Sequence, residues 1–252
     1  MVSASSSHQP SELERNTRVA IVTTTTPIVA LDVSTDAEAL ALVDDLGDRC
    51  RFYKIGNELF TACGPSIVRD VIDRGCDVFL DLKFHDIPNT VAGGVRRAVA
   101  MGARLVTVHA TGGRSMLEAA VDAGGDRCGV LAVTVLTSLT GPEVALAWGR
   151  SEPLDVADEV LRLADLAATA GAHGVVCSGR EAPLVRDRLS GLATLVPGVR
   201  AAGGAAQDQA RVVTPSEAAA SGARYIVLGR MVTAARNRRA AMNSILAELA
   251  PS

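Results

Sequence analysis

Aromatic residues make up only 3% of the 252-residue chain, and the formal net charge is −3. Proteins that bind single-stranded RNA by stacking its bases need aromatic side chains, which this sequence can barely supply. The chain also lacks any run of five or more basic residues, which disfavours a broad nucleic-acid-binding surface. Hydrophobic residues still make up 48% of the chain. We therefore expect a globular protein with a core of alanine, valine and leucine and no nucleic-acid partner.

Long apolar segments and paired cysteines are missing as well. No run approaches the roughly 18–20 consecutive apolar residues that span a bilayer, and residues 1–18 lack the apolar centre of a signal peptide. The five cysteines are odd in number and none belongs to a C-x-x-C pair, which disfavours a disulfide framework and a zinc site. We expect a cytoplasmic protein with reduced thiols and no membrane partner.

Lysine is scarce, because only Lys54 and Lys83 are lysines among the 25 basic residues and all the others are arginines. Arginine is effectively always protonated, whereas the ammonium group of lysine can have its pKa tuned and can deliver a proton. A lysine retained against this bias indicates a task that arginine performs badly. Chance retention is the alternative for either lysine taken alone.

The order of the predicted elements indicates the fold. After Pro27, eight apolar runs rich in β-branched residues alternate with amphipathic stretches. Near-continuous apolar runs are typical of parallel strands buried on both faces, and eight strand–helix repeats favour a single α/β (β/α)₈ TIM barrel. A doubly wound open sheet is the alternative. The predicted strands are Ile28–Val33, Arg51–Ile55, Val78–Lys83, Leu105–His109, Gly129–Leu136, Gly174–Cys177, Ala193–Val196 and Tyr225–Leu228.

The amphipathic stretches between these runs complete the predicted domain organisation. We assign residues 27–252 to one catalytic barrel domain and residues 1–26 to a short polar N-terminal tail. Residues 139–153 are predicted to form a long loop after the fifth strand, which is a candidate cover for the site. The predicted helices are Asp36–Leu46, Pro65–Arg74, Val91–Met101, Ser115–Ala123, Asp155–Ala170, Arg180–Leu189, Pro215–Ser221 and Val232–Leu249.

The densest group of charged residues follows the third predicted strand, in the motif DLKFHDIPNT that begins at Asp81. Asp81 and Lys83 stand two residues apart on a strand, and their side chains therefore point to the same face. Leu80, Leu82 and Phe84 alternate with them, which places the charges inside the mouth of the barrel. A surface ion-pair network is the alternative. Buried charges are costly unless paired, and alternating signs around a rare lysine favour a catalytic network.

This motif resembles the D-x-K-x-x-D-I-P-x-T signature of the orotidine 5′-monophosphate decarboxylase family. PIVALDV is similar to the family's first strand, and YKIGNELFTACGPSIV to its second strand and the following helix. LAVTVLTS, VVCS, LVPGVR and YIVLGR are similar to later strands in the expected order. The resemblance extends from about Pro27 to Thr233. It implies cofactor-free conversion of orotidine 5′-monophosphate to uridine 5′-monophosphate and carbon dioxide, the last step of de novo pyrimidine synthesis.

The resemblance also implies roles for four charged residues near the reacting centre. Lys83 would deliver a proton to C6 of the pyrimidine, and Asp81 would lie against the departing carboxylate. Asp32 and Lys54 would hydrogen-bond the ribose hydroxyls, and Lys54 would also belong to the charged network.

The resemblance also implies roles for three further residues, which lie closer to the subunit boundary or to the base. Asp86 and Thr90 would reach into the site of the partner subunit of a homodimer and complete it. Thr137 would contact the pyrimidine or the ribose.

The 5′-phosphate would be held by Arg200, Gln209, Gly229 and Arg230. Loops after the seventh and eighth strands of a barrel frequently bind phosphate, where glycine permits close backbone approach and arginine supplies a bidentate donor. Arg200 and the Gly229–Arg230 pair have this placement in the sequence. The assignment of Gln209 depends mainly on the resemblance.

Two other functions compete with this interpretation. Sugar-phosphate enzymes of the same barrel superfamily, such as a 3-keto-gulonate 6-phosphate decarboxylase or a hexulose phosphate synthase, share the D-x-K-x-x-D core but use Mg²⁺ and lack the I-P-x-T continuation. A catalytically silent phosphate-binding barrel is the alternative that is not an enzyme. The complete motif favours the decarboxylase, for which no metal or organic cofactor is expected.

Overall fold

The computed structural model describes residues 25–200 and 213–250, and most of the predicted tail, residues 1–24, lies outside this range. Eight parallel strands close into a barrel in chain order, with the first strand paired to the last. The predicted (β/α)₈ barrel is therefore confirmed. The strands are β1 Thr26–Ala30, β2 Phe52–Gly56, β3 Asp77–Phe84, β4 Leu105–His109, β5 Gly129–Val133, β6 Gly174–Val176, β7 Ala193–Val199 and β8 Tyr225–Leu228.

The strands are surrounded by α-helices, of which the described residues contain eleven. Each predicted helix has a counterpart, with bounds that differ by a few residues. Within the described ranges, no helix has the length and apolar character that crossing a membrane requires. The helices are α1 Asp36–Leu46, α2 Asn57–Cys63, α3 Ser66–Ile72, α4 Pro88–Met101, α5 Arg114–Gly124, α6 Gly141–Ala147, α7 Val156–Thr169, α8 Ala182–Arg188, α9 Pro215–Ala220, α10 Arg230–Thr233 and α11 Arg238–Leu249.

Two predictions about helices were wrong. The predicted loop 139–153 contains α6, which begins with a capping box in which Thr140 and Glu143 satisfy each other's backbone N–H groups. The predicted last helix is divided into α10 and α11, because the side chain of Asn237 accepts the backbone N–H of Ala240 and starts a new helix there. Both capping signals are local, and both were readable from the sequence.

The core has two layers, one inside the barrel and one between the barrel and its helices. Ile28 and Ala30 of β1 belong to the inner cluster, whereas Val29 and Leu31 pack in the outer one. This alternation follows from the two-residue period of a strand. The next inward position after Ala30 is Asp32, where apolar packing gives way to the open carboxyl-terminal mouth of the barrel.

At the opposite, amino-terminal end of the barrel, His173 lies beside Tyr225, with 3.0 Å between its Nε2 atom and the phenol oxygen. Burial lowers the pKa of His173 from its ordinary value of 6.5, and the charges of Arg224 and Arg104 lower this pKa further. The imidazole is therefore held in its neutral form in the folded protein.

This lowered pKa predicts a loss of stability in mild acid. As the pH falls below about 6.5, the unfolded chain takes up a proton that folded His173 resists, and the free energy of unfolding decreases. We expect the melting temperature to fall between about pH 7 and pH 5, and to fall less steeply in His173→Gln. Tyr225→Phe is the matched control, because it removes the hydrogen bond and keeps the imidazole. Equal slopes in wild type and His173→Gln would contradict the prediction.

Candidate active site

A cavity of about 520 Å³ opens at the carboxyl-terminal mouth of the barrel. Its walls are built from the ends of the strands and the loops that follow them, which is where barrel enzymes assemble their sites. Eight of the predicted site residues line this one cavity. They are Asp32, Lys54, Asp81, Lys83, Thr137, Arg200, Gly229 and Arg230.

Four charged side chains form a connected network of alternating sign on one wall of the cavity. Lys54 Nζ lies 2.8 Å from Asp32 Oδ1 and 3.8 Å from Asp81 Oδ2. Lys83 Nζ lies 2.9 Å from Asp81 Oδ1. Asp81 and Lys54 are 13% and 12% exposed, while Asp32 is 61% exposed at the rim. Because buried charges need partners, the pairing allows two carboxylates and two ammonium groups to face one small cavity.

The third strand does not have the regular form that simple alternation predicts. Its pairing with β4 shifts register between Leu80 and Phe84. Lys83 has a φ of 51°, the only positive φ at a residue other than glycine in the described chain. Such a backbone conformation is uncommon and is concentrated at functional sites. Asp81 and Lys83 do face the cavity as expected, but an irregular strand end brings the ammonium group there.

Thr107 belongs to the same network and was missed by the sequence analysis. It lies on β4, is fully buried, and donates its hydroxyl proton to Asp81 Oδ1 at 2.9 Å. The same hydroxyl oxygen accepts the backbone N–H of Lys83 at 2.9 Å. The signal available in the sequence was a polar residue in the middle of the run LVTVH, at an inward position two residues before His109.

The part of the cavity wall next to β1 is formed by the ends of β8 and β7. Arg200 follows β7, and its Nη1 atom donates to the carbonyl oxygen of Val199 at 3.2 Å. Gly229 and Arg230 follow β8, and a Cβ atom added at Gly229 would meet only open space. Two arginines and an open backbone segment suit a phosphate group. Gln209 lies outside the described residues.

Thr137 lines the cavity between these two walls and is almost fully buried. It follows β5, next to the cavity residues Leu136 and Ser138. The strand ends at Val133, earlier than predicted, so Thr137 lies in the loop after β5 and not directly at the strand end; its contact with a base or ribose stays a prediction.

Asp86 and Thr90 do not line the cavity of their own chain. Both are exposed, and the carboxylate of Asp86 accepts the backbone N–H of Ile87 at 2.6 Å. Ile87 itself is 68% exposed, which is unusual for a large apolar side chain next to a charged motif. This segment leads into α4 and leaves Asp86 and Thr90 exposed, outside the lining of the cavity of the same chain.

Two histidines lie behind the network, with ring centroids of His85 and His109 separated by 5.3 Å. Burial lowers the pKa of His109, and the neighbouring His85 and the charge of Lys83 lower it further. These surroundings favour the uncharged form of His109.

Comparison with known proteins assigns the family. Residues 25–245 match the model of the Orotidine 5′-phosphate decarboxylase / HUMPS family. The chain belongs to this family. The match covers both walls of the cavity, from Asp32 to Arg230, and therefore includes every charged residue described above.

Individual relatives in the family are similar over nearly their whole length. The Orotidine 5′-phosphate decarboxylase of Alkalilimnicola ehrlichii is 51% identical over 231 residues, which cover 88% of this chain and 95% of that protein. The enzyme of the same name from Halorhodospira halophila is 48% identical over 230 residues, with the same coverage. The crystal structure of Orotidine 5′-phosphate decarboxylase from Lactobacillus acidophilus has a TM-score of 0.79 at 34% identity, covering 90% of this chain and all of that one.

Proposed function

We propose that the chain is an orotidine 5′-phosphate decarboxylase that removes the carboxylate of orotidine 5′-monophosphate and protonates C6 with Lys83. The observation that carries the proposal is the network Asp32–Lys54–Asp81–Lys83 on one wall of the cavity. The similarity to decarboxylases of this name over 88% of the chain supports the same substrate.

Loss of carbon dioxide leaves an electron pair on C6 that the pyrimidine ring delocalises poorly. An ammonium group fixed beside C6 stabilises the developing negative charge and then transfers its proton to that carbon. Lys83 suits this role because Asp81 anchors its Nζ atom at 2.9 Å and the side chain keeps access to the cavity at 33% exposure. The bond from C6 to the carboxylate carbon breaks, and a bond from C6 to hydrogen replaces it.

Asp81 would lie against the carboxylate of the substrate. Its charge is held in place by Lys54, Lys83 and the hydroxyl of Thr107. Bringing a second carboxylate next to it is unfavourable, and this repulsion is relieved as neutral carbon dioxide forms. Asp32 and Lys54, at the rim end of the network, would bind the ribose hydroxyls, and Thr137 would contact the base or the ribose.

The phosphate would bind at the ends of β7 and β8, between Arg200 and the Gly229–Arg230 pair. This placement separates the site that binds the phosphate from the site where chemistry occurs. Binding energy from the phosphate can then hold C6 against Lys83, which lowers the barrier of the chemical step. Gln209 remains part of the proposed phosphate site.

Arg230→Ala should weaken binding of phosphorylated ligands without affecting the nucleoside. A hydrogen bond between charged groups contributes about 1.5–3 kcal/mol, which is roughly 10- to 150-fold in affinity. We expect that loss for uridine 5′-monophosphate, measured by calorimetry, and no change for uridine, which has no phosphate. Arg74→Ala is the matched control, because it removes a surface arginine that pairs with Asp44. Unchanged affinity for the nucleotide in Arg230→Ala would remove Arg230 from the phosphate site.

We further propose that the enzyme is a homodimer in which each cavity is completed by Asp86 and Thr90 of the other subunit. The support is their position, since both lie a few residues beyond Lys83 yet are exposed and do not line the cavity of their own chain. The exposed Ile87 between them provides apolar surface for such a contact. A cytoplasmic location, with the tail outside the catalytic barrel, completes the proposal.

The decisive experiment follows the loss of orotate absorbance with the full chain, with and without a metal chelator. The proposed enzyme converts orotidine 5′-monophosphate equally well in both conditions. A sugar-phosphate enzyme that depends on Mg²⁺ would not turn over this substrate, and chelation would abolish its own reaction. A phosphate-binding barrel without catalytic activity would bind the nucleotide and leave the absorbance unchanged.

A further inference from the structure

The hydroxyl of Thr107 connects the backbone of one network residue to the side chain of another. It accepts the backbone N–H of Lys83 at 2.9 Å and donates to Asp81 Oδ1 at 2.9 Å. The same Oδ1 atom accepts Lys83 Nζ at 2.9 Å. Thr107 therefore closes a ring of contacts that holds both ends of Lys83, its backbone nitrogen and its ammonium group.

The backbone of Lys83 needs such a partner because the regular strand ladder fails there. Pairing between β3 and β4 is regular at Phe79 and Leu80 and resumes, shifted, at Phe84. Lys83 lies within this gap with a φ of 51°, a conformation that residues with a side chain rarely adopt. Strained backbone of this kind persists only where its surroundings hold it in place.

We propose that Thr107 is a positioning residue for the proton donor, which holds Lys83 in its left-handed conformation and orients Asp81. This inference depends on the proposed function of Lys83. A hydroxyl suits the task because a single oxygen both accepts from the backbone and donates to the carboxylate. Thr107 is fully buried and does not line the cavity, and it acts through Lys83 and Asp81.

Thr107→Val tests the proposal, because valine keeps the shape of threonine and can neither accept nor donate the two hydrogen bonds. A proton donor displaced by about 1 Å can cost on the order of 100-fold in rate. We expect kcat to fall by roughly 10- to 100-fold, while KM and the affinity for uridine 5′-monophosphate stay near those of the wild type. The proposed phosphate contacts lie at the ends of β7 and β8, which do not pair with β4, and should not be disturbed.

Two further variants separate positioning from general loss of stability. Thr107→Ser keeps the hydroxyl and should restore most of the wild-type kcat. Thr134→Val removes another buried hydroxyl, directly after β5, which donates to the carbonyl of Val176 at 2.7 Å and not to a residue of the network. It should lower the melting temperature and leave kcat unchanged. If Thr107→Val does not fold, Thr107→Ala replaces it with the same expected result.

The possible outcomes are distinct. A fall in kcat alone, restored by serine, supports the inference. If the wild type is active and Thr107→Val is equally active, the inference about Thr107 is overturned and the proposed function is unaffected. Loss of kcat together with loss of nucleotide affinity, or loss of kcat also in Thr134→Val, overturns it by indicating general distortion. A wild type that does not decarboxylate orotidine 5′-monophosphate overturns the proposed function itself.

Discussion

Lys83→Ala should abolish nearly all turnover while the barrel stays folded. The substitution removes the proton that C6 requires and the positive charge that stabilises the electron pair left there. General acid catalysis alone contributes about 10²–10⁴-fold, and the loss of a preorganised charge adds to this figure. It also leaves Asp81 without its partner at 2.9 Å, facing the carboxylate of the substrate. Turnover is followed by orotate absorbance, and circular dichroism and the melting temperature establish folding.

Lys83→Arg distinguishes the effect of the positive charge from the effect of the transferable proton. Arginine keeps a positive group near Asp81 but is a very poor proton donor with a planar, longer head group. We expect this variant to be nearly as inactive as Lys83→Ala. Lys54→Arg, which retains a charge between Asp32 and Asp81, should be affected less. A folded Lys83→Ala protein that kept about a tenth of wild-type turnover would have lost far less activity than removal of a general acid should cost. That result would mean that the proton comes from another group.

Mixing two inactive variants should regenerate activity if the cavities are shared between subunits. Asp86→Asn and Lys83→Ala are each expected to inactivate the proposed homodimer. In a heterodimer of the two, one cavity combines both substitutions and the other contains an intact Lys83 and an intact Asp86. Random exchange of equal amounts gives half heterodimers, and we expect about one quarter of the wild-type activity.

The control for this experiment pairs substitutions that occur within one cavity. Lys83→Ala mixed with Asp81→Asn should recover nothing, because both residues belong to the same wall of the same chain. Subunit exchange is verified with two differently tagged proteins by native mass spectrometry. Verified exchange without recovery in the Asp86→Asn mixture would show that Asp86 does not act across an interface.

The sequence by itself determined the barrel architecture and most of the charged residues that line the cavity. Eight apolar runs predicted all eight strands, since parallel strands buried on both faces leave a pattern that depends only on local composition. The scarcity of lysine and the motif around Lys83 singled out Lys54, Asp81 and Lys83, which line the cavity, whereas Asp86 and Thr90 of the same motif do not. The shorter helix α6 was missed although its capping box was present, because a seven-residue helix has too few turns to give a periodic pattern.

Only the tertiary structure decided how the network is held together. Thr107 is 24 residues from Lys83 in the chain, and no local pattern brings the two together. Their contact arises because β3 and β4 pair side by side and then shift register. The left-handed backbone of Lys83 lies in this irregular segment, and a lysine at that position gives no local signal for a positive φ. Strand periodicity determined which residues face the cavity, and packing between neighbouring strands determined the geometry in which they meet.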